Sequence, residues 1–170
     1  MPQEKARLKL VDTPMDAETR IREDHHLSVR LWLRMLSCTN RIEAVVRQGL
    51  QAKFQTTLPR FDLMAQLERS RQGLRMSELS QRLMVTGGNV TGITDALEKE
   101  GLVVREVDQS DRRAYRVRLT AEGQRQFRSM AAEHEQWVIA LFDGMSQRSK
   151  QQLVELLGEL KQHISQATSD

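Results

Sequence analysis

The sequence is poor in cysteine, proline and aromatic residues, and it has no long apolar run. Because Cys38 is the only cysteine, the chain forms no internal disulfide and offers no thiolate metal cluster. No segment reaches the roughly 18 apolar residues that a membrane-spanning helix needs. Residues 1–20 also lack the apolar core of a signal peptide. We therefore expect a cytoplasmic protein with no membrane partner.

Catalytic groups at productive spacings are missing as well. The histidines are His25, His26, His134 and His163. The adjacent pair cannot share one helix face, and the other two fall on separate predicted helices. No serine–histidine–aspartate pattern and no metal-ligand spacing connects them. We expect no enzymatic activity, and no catalytic residue, bound metal or cofactor.

What the chain has in excess is arginine. Of its 26 basic residues 6 are lysine, which leaves 20 arginines. The planar guanidinium suits paired contacts with phosphates and base edges, so the excess favours a nucleic-acid partner. A skewed genomic composition produces the same excess, and arginine content alone does not decide between the two explanations.

Apolar spacing predicts a mainly helical chain. After a loose arm at residues 1–20, one long helix spans residues 24–54. Its apolar residues recur at alternating steps of four and three: Leu31, Met35, Cys38, Ile42 and Val45. Such a helix is about 45 Å long, more than one small domain covers, so we expect it to pack against a second copy of the chain. Two further helices, at residues 121–143 and 149–166, close the sequence.

The middle of the chain combines short helices with a β-hairpin. Pro59 fits the start of one helix, and the segment "MSELSQRL" forms the next. A third helix carries an apolar stripe: Val90, Ile93 and Leu97. Residues 115–119 alternate apolar side chains with arginine, which predicts a strand with one wet basic face, paired with a strand at residues 102–107. Two helices joined by a tight turn and followed by a hairpin form a winged helix-turn-helix.

The segment "GGNVTGIT" falls one residue short of a phosphate-binding loop. Gly87, Gly92 and Thr94 have the spacing of the motif G-x-x-x-x-G-K-[ST]. Ile93 stands where the lysine belongs, and it is part of the apolar stripe of the third helix. A nucleotide-binding loop is therefore a poor interpretation of this segment.

We interpret the segment instead as the start of a DNA-recognition helix. Thr86 is the predicted N-cap, and Gly88, Asn89, Thr91 and Gly92 face away from the apolar stripe. Short side chains and bare backbone can approach phosphates and base edges closely. A capped core helix without a ligand is the alternative, and these residues alone do not exclude it.

The stretch "MSELSQRLMVTGGNVTGITDALEKEGLVVREVDQSDRRAYRVRLTAEG" resembles the winged-helix core of MarR-family transcriptional regulators. The likeness covers about residues 59–123 and is most specific at "DQSDRRAYRVRLTAEG". It implies that Arg113, held by Asp111, reaches into the minor groove while Arg112 lies near the DNA backbone. Arg116 on the following strand is a further predicted contact. A wing of solvated charges without function is the alternative.

Gly92 departs from the family pattern, in which many members carry a bulky or basic residue in the middle of the recognition helix. A guanidinium contact with guanine is absent at that position. Base readout then falls to Asn89, which can pair with adenine, and to Thr91, whose methyl group can touch thymine. The sequence therefore predicts a half-site rich in A·T pairs.

The resemblance also implies a homodimer that binds a palindromic operator in double-stranded DNA. It further implies a repressor that a small aromatic effector releases. The segments "TTLPRFDLMAQLER" and "MSELSQRLMVTGGNVTG" resemble the branch that controls aromatic and hydroxycinnamic-acid catabolism, where the effector is an aromatic acid or its CoA thioester. Arg30, Arg34 and Arg41 share one stripe of the first helix, and Trp32 lies on its other flank; we predict that they bind this effector. Solvated side chains or ion pairs between subunits are the alternative.

The predicted domains are an arm at residues 1–20, a dimerisation helix at 21–56, the winged helix at 57–120 and dimerisation helices at 121–170. Since Cys38 lies among apolar residues, we expect a buried small side chain and not a peroxide-sensing thiol. A winged helix that binds protein instead of DNA is the alternative function. Weak DNA affinity that ignores base sequence would distinguish it.

Overall fold

A computed structural model describes residues 27–108, 111 and 114–167, so the predicted arm at residues 1–20 lies outside the described part. The described residues form six helices and three strands. The helices are α1 Leu27–Phe54, α2 Leu58–Glu68, α3 Met76–Leu83, α4 Gly87–Lys99, α5 Ala121–Phe142 and α6 Gln147–Ala167. The strands are β1 Leu74–Arg75, β2 Val103–Val107 and β3 Tyr115–Leu119. The predicted mainly helical fold with a small β-hairpin is confirmed.

The chain divides into two compact units, one up to Glu43 and one from Ala44 onward. The first unit contributes the N-terminal part of α1, and the second contains everything that follows. Within the second unit, Gly49 of α1 lies against the indole of Trp137 on α5. A Cβ at residue 49 would lie 2.7 Å from that ring, so glycine permits the two helices to pack this closely.

The sheet has one strand that the sequence pattern did not indicate. Its order is β1-β3-β2, and both pairings are antiparallel. Strand β1 contains two residues, too few to display a two-residue period, and this is why it escaped prediction. Gly73, with φ of +76°, turns the chain from the end of α2 into this strand. The wing, which is the hairpin of β2 and β3, is thus anchored to β1, the strand that leads directly into α3.

The core of the second unit lies where the helix-turn-helix packs on α2, α5 and the sheet. Its fully buried side chains are Leu50, Leu63, Met64, Leu67, Leu79, Val90, Thr94, Leu97 and Val117. The buried Thr94 hydroxyl donates to the carbonyl oxygen of Val90 at 2.8 Å, which satisfies it within its own helix. Phe61 stacks on Phe127 and on His134, with ring centroids 5.5 and 5.0 Å apart. These contacts fix α2 against α5, beneath the recognition helix.

The segment "LTAEG" joins the wing to α5 through specific backbone contacts. The Thr120 hydroxyl accepts a capping hydrogen bond from the Gly123 amide at 3.0 Å and donates to the Gly101 carbonyl oxygen at 2.7 Å. Thr120 is therefore the N-cap of α5, and Gly123 supplies the amide that this cap binds.

Helix α6 packs differently from the others, since none of its residues is buried. Its exposed apolar residues are Leu153, Val154, Leu156, Leu157 and Ile164. No helix among the described residues is both long enough and apolar enough to cross a membrane.

Candidate nucleic-acid interface

A tight turn places α4 after α3. Met84 ends α3 in the left-handed conformation, with φ of +53°. The Ser80 hydroxyl donates to the Val85 carbonyl oxygen at 2.6 Å and fixes the turn from below. Thr86 occupies the predicted N-cap position of α4, with extended backbone, but its side chain accepts no capping hydrogen bond. The position of the cap was thus predicted correctly, and the expected side-chain contact was wrong.

The two faces of α4 differ largely as the apolar stripe predicted. Val90 and Leu97 of that stripe are buried, whereas Ile93 is only half-buried and Thr94, outside the predicted stripe, is buried. Residues 86–89, 91 and 92 are exposed. Thr91 uses its hydroxyl internally, donating to the Gly87 carbonyl oxygen at 3.0 Å. The exposed face therefore presents one amide side chain, that of Asn89, among glycines and short hydroxyl-bearing residues.

Among the residues that the structure describes, nothing requires glycine at the three glycine positions of α4. A Cβ added at Gly87, Gly88 or Gly92 would meet nothing within 4 Å. None of the three has a positive φ. Glycine inside a helix is less stable than alanine by about 0.5–1 kcal/mol. The bare face of α4 therefore lowers helix stability without improving any contact inside the protein.

The hairpin turn is held by backbone bonds across its base. The Asp108 amide donates to the Ala114 carbonyl oxygen, and the Ala114 amide donates to the Asp111 carbonyl oxygen, each at 2.9 Å. Asp111 is exposed at this turn. Arg112 and Arg113 lie outside the described residues, so their predicted contact with the minor groove stays a prediction.

A buried carboxylate organises the base of the wing. Asp108 is 2 % exposed and accepts hydrogen bonds from Nε of Arg75 at 2.8 Å and Nε of Arg116 at 2.7 Å. The Arg116 guanidinium also donates to the Gly73 carbonyl oxygen at 3.0 Å. The hydrogen bond with Asp108 and its negative charge raise the pKa of Arg75. The sequence did not indicate this role for Asp108, because Arg75 is 33 residues away and Arg116 lies on the other side of the hairpin turn.

The arginines of strand β3 lie on a side that solvent reaches, as predicted, but they pair with carboxylates, so that side lacks the free positive charge that the sequence indicated. Arg116 binds Asp108, and Arg118 on the same strand pairs with Glu106. That hydrogen bond with Arg118 lowers the pKa of Glu106. The charges of strand β3 are therefore matched by carboxylates, and Arg116 lies in the wing as a support for Asp108.

Arg105 on β2 connects the wing to α4. Its guanidinium binds Asp95 and Glu98, both on α4, and its amide donates to Glu98 at 3.2 Å. Burial opposes the charge of this guanidinium, but the hydrogen bonds and charges of the two carboxylates outweigh burial and raise the pKa of Arg105. This contact fixes the angle between α4 and the hairpin.

Comparison with known proteins matches this arrangement to a family. Residues 56–115 match the family model described as MarR. The winged helix of this chain is therefore similar to that of the MarR family. An HTH-type transcriptional regulator of Bacillus cereus is 27% identical over 141 residues, covering 82% of this chain and 92% of its own.

Two further proteins are similar to this chain over different shares of its length. The transcriptional repressor YetL of Bacillus subtilis is 30% identical over 92 residues, covering 54% of this chain and 55% of its own. Sco3205 of Streptomyces coelicolor, a MarR-family regulator solved in complex with DNA, superposes with a TM-score of 0.68 at 27% identity. That match covers 79% of this chain and 88% of Sco3205.

The residues predicted to hold an effector lie on α1, ahead of the segment that matches the family model. Trp32 is 59 % exposed, Arg34 and Arg41 are exposed, and Arg30 is half-buried. Cys38 is exposed in the single chain, so the expected burial of its side chain was wrong. The single chain buries no residue of this apolar row: Leu31 is exposed, and Met35 and Ile42 are half-buried.

Proposed function

We propose that the protein is a homodimeric regulator that binds operator DNA by sequence, with α4 in the major groove and the hairpin tip in the adjacent minor groove. The bare outer face of α4 is the observation that carries this proposal. Gly92 lowers helix stability because it lies inside α4, and none of Gly87, Gly88 and Gly92 relieves a contact with the described residues. Glycine at these positions allows a partner to approach the helix backbone closely, and the floor of a DNA groove is such a partner.

The exposed side chains of α4 fit the major groove in size and chemistry. Asn89 can donate to and accept from the edge of one adenine. Thr91 has its hydroxyl bound to Gly87, which leaves its methyl group as the part that can contact a thymine. Both contacts favour A·T pairs. Arginine contact with guanine is missing from the centre of this helix, so phosphates supply much of the affinity.

The wing complements this face in the neighbouring groove. We assign Arg113 to the minor groove, with Asp111 orienting it and Arg112 at the backbone. Arg116 supports the wing indirectly, because its guanidinium binds Asp108 at the base of the hairpin. Because carboxylates pair with the arginines of the strands, the positive charge that can bind the groove lies at the tip of the wing.

A second copy of the chain covers the apolar side chains that α1 and α6 leave exposed. Val154 and Leu156 of α6 are 66 % and 62 % exposed, and Leu31 of α1 is open too. Apolar surface of this extent is typical of an interface between subunits. A two-fold pair places two recognition helices about 34 Å apart, one turn of the duplex, and so reads a palindrome.

We further propose that the regulator represses transcription and that an aromatic acid or its CoA thioester releases it. Arg30, Arg34 and Arg41 share a stripe of α1 that can bind carboxylate or phosphate groups, and Trp32 offers an exposed ring. Calorimetric titration with p-coumaroyl-CoA and with p-coumarate tests this. Heat from the thioester in the wild type and none in Arg41→Gln is the expected result. Arg69→Gln, at the exposed residue directly after α2, is the matched control. Heat from the free acid alone would rule out the thioester.

Fluorescence anisotropy tests DNA binding directly. The purified protein is titrated with its own upstream intergenic DNA and with a scrambled duplex, each at two salt concentrations. Tighter binding to the native duplex and a steep fall of affinity with salt are expected. Equal, weak binding to both duplexes would favour a winged helix that binds protein.

A further inference from the structure

A cleft separates the recognition helix from the wing. Its walls come from α3, α4, β2 and β3 and include Met76, Ser77, Thr91, Arg105, Ala114 and Tyr115. Thr91 belongs to the face that the proposed function places in the major groove, and β3 leads back from the tip that it places in the minor groove. A DNA strand that passes from one groove to the other has to cross this cleft.

Two hydroxyl groups in the cleft are available to a ligand. Ser77 is exposed and Tyr115 is 54 % exposed. Within the described residues, neither hydroxyl bonds a protein group. Around them the walls are apolar, formed by the side chains of Met76 and Ala114 and by the ring of Tyr115. Hydroxyl donors beside apolar carbon match the alternation of phosphate and deoxyribose along a DNA strand.

The arginines that border the cleft are already neutralised. Arg105 pairs with Asp95 and Glu98, and Arg75 pairs with the buried Asp108. A phosphate in the cleft therefore meets carboxylates as well as guanidinium groups. Attraction by net positive charge is weak here, and neutral donors become the groups that can hold the phosphate.

We propose that this cleft seats one sugar–phosphate unit of the operator strand, with the hydroxyls of Ser77 and Tyr115 donating to its phosphate oxygens. The proposal rests on the proposed DNA-binding function and adds a specific property. Each cationic contact with DNA releases condensed counterions and steepens the dependence of affinity on salt. A hydroxyl releases none. The cleft contributes to affinity and leaves the salt slope unchanged.

Two conservative variants test this. Tyr115→Phe and Ser77→Ala remove one hydroxyl each and keep the surrounding shape. Anisotropy titration on the native upstream duplex over a range of salt concentrations measures both affinity and slope. We expect each variant to bind about tenfold more weakly for every cleft occupied, as for the loss of a hydrogen bond to a charged group. The salt slope and the thermal midpoint are expected to match those of the wild type.

Duplexes that each carry one methylphosphonate linkage, at successive positions along the strand, locate the phosphate. At one position in each half-site, the linkage is expected to weaken DNA binding by the wild type and to cause no further loss of affinity in Tyr115→Phe. Ser129→Ala, an exposed hydroxyl deletion on α5, is the matched control and should bind as the wild type does.

The possible failures separate the two proposals. Variants that bind as tightly as a sequence-discriminating wild type would overturn the cleft alone. Reduced affinity accompanied by a shallower slope would show that charge acts there, and would overturn the neutral-donor mechanism. A wild type that fails to discriminate between native and scrambled DNA would overturn the proposed function and the cleft with it.

Discussion

The carbonyl oxygen of Leu102 occupies the place where a side chain at residue 123 would begin, since a Cβ on Gly123 would lie 1.9 Å from it. Gly123 lies in the first turn of α5, and Leu102 directly precedes β2. This approach joins the wing to the helix that follows it. Because the obstructing atom belongs to the backbone, no side-chain rotation can relieve the overlap.

Gly123→Ala is therefore expected to destabilise the protein by about 3 kcal/mol, near the upper end for overpacked sites. Urea unfolding followed by circular dichroism measures the change. Gly158→Ala on α6 is the matched control, because a Cβ there meets nothing within 4 Å. We expect the control to be stabilised slightly. Equal stability of the two variants would show that α5 shifts freely at its first turn.

Gly92→Ala is expected to change stability and DNA affinity in opposite directions. The added Cβ meets open space in the free protein, so the helix gains about 0.5–1 kcal/mol. On DNA the same methyl group occupies the gap between helix backbone and groove floor, and we expect about tenfold weaker binding. Unfolding curves and anisotropy titrations test the two halves. If Gly92→Ala binds DNA as tightly as Gly158→Ala does, the bare face has no role in recognition.

Much of the helical arrangement could be predicted from the sequence because each helix has its own apolar period. Helix α3 has the bounds of the predicted segment "MSELSQRL". The alternation in β3 was recognised for the same reason, with Val117 and Leu119 buried as their spacing predicted. Long-range contacts leave no such periodic signal. Strand β1 pairs with residues more than 30 positions away, and one of the two arginines that bind the carboxylate of Asp108, Arg75, is equally distant.

Charge pairing was the other limit of prediction from sequence. Arg116 alternates with apolar residues as a solvated side chain would, and nothing local indicates that it binds Asp108. Cys38 was misjudged for a related reason. Its spacing identifies an apolar row correctly, but spacing does not say whether the same chain covers that row.

Asp108→Asn is expected to destabilise the protein by about 2 kcal/mol. The carboxylate is buried and accepts from two guanidinium groups. The amide removes its negative charge and leaves Arg75 and Arg116 close together. Because both arginines remain partly exposed, solvent screens part of the loss that a fully buried pair would suffer. Thermal unfolding measures it, with the exposed Glu135→Gln as control. A variant as stable as this control would mean that the carboxylate does not anchor the wing.

Met84→Gly is expected to stabilise the protein by roughly 1 kcal/mol. Met84 has φ of +53° at the end of α3, where glycine avoids the steric penalty of a side chain. Its side chain is 93 % exposed, so the substitution gives up no packing. Met84→Ala keeps the penalty and serves as control, with little change expected. A gain of equal size in both variants would point to the exposed side chain and not to the backbone.

Asn89→Ala is expected to relax base preference at one position of each half-site by roughly 1–3 kcal/mol. Asn89 is the only amide side chain on the exposed face of α4 formed by residues 86–92, so its loss removes a specific contact and leaves phosphate contacts in place. Competition titrations with a panel of operator variants, each altered at one base pair, measure the preference. Asn40→Ala, an exposed asparagine on α1, is the matched control. The expected pattern is a single position at which the wild type and Asn40→Ala discriminate and Asn89→Ala does not. A uniform drop in affinity for every operator variant would instead assign Asn89 to the DNA backbone, and the predicted preference for A·T would then have to come from groove shape read by the wing.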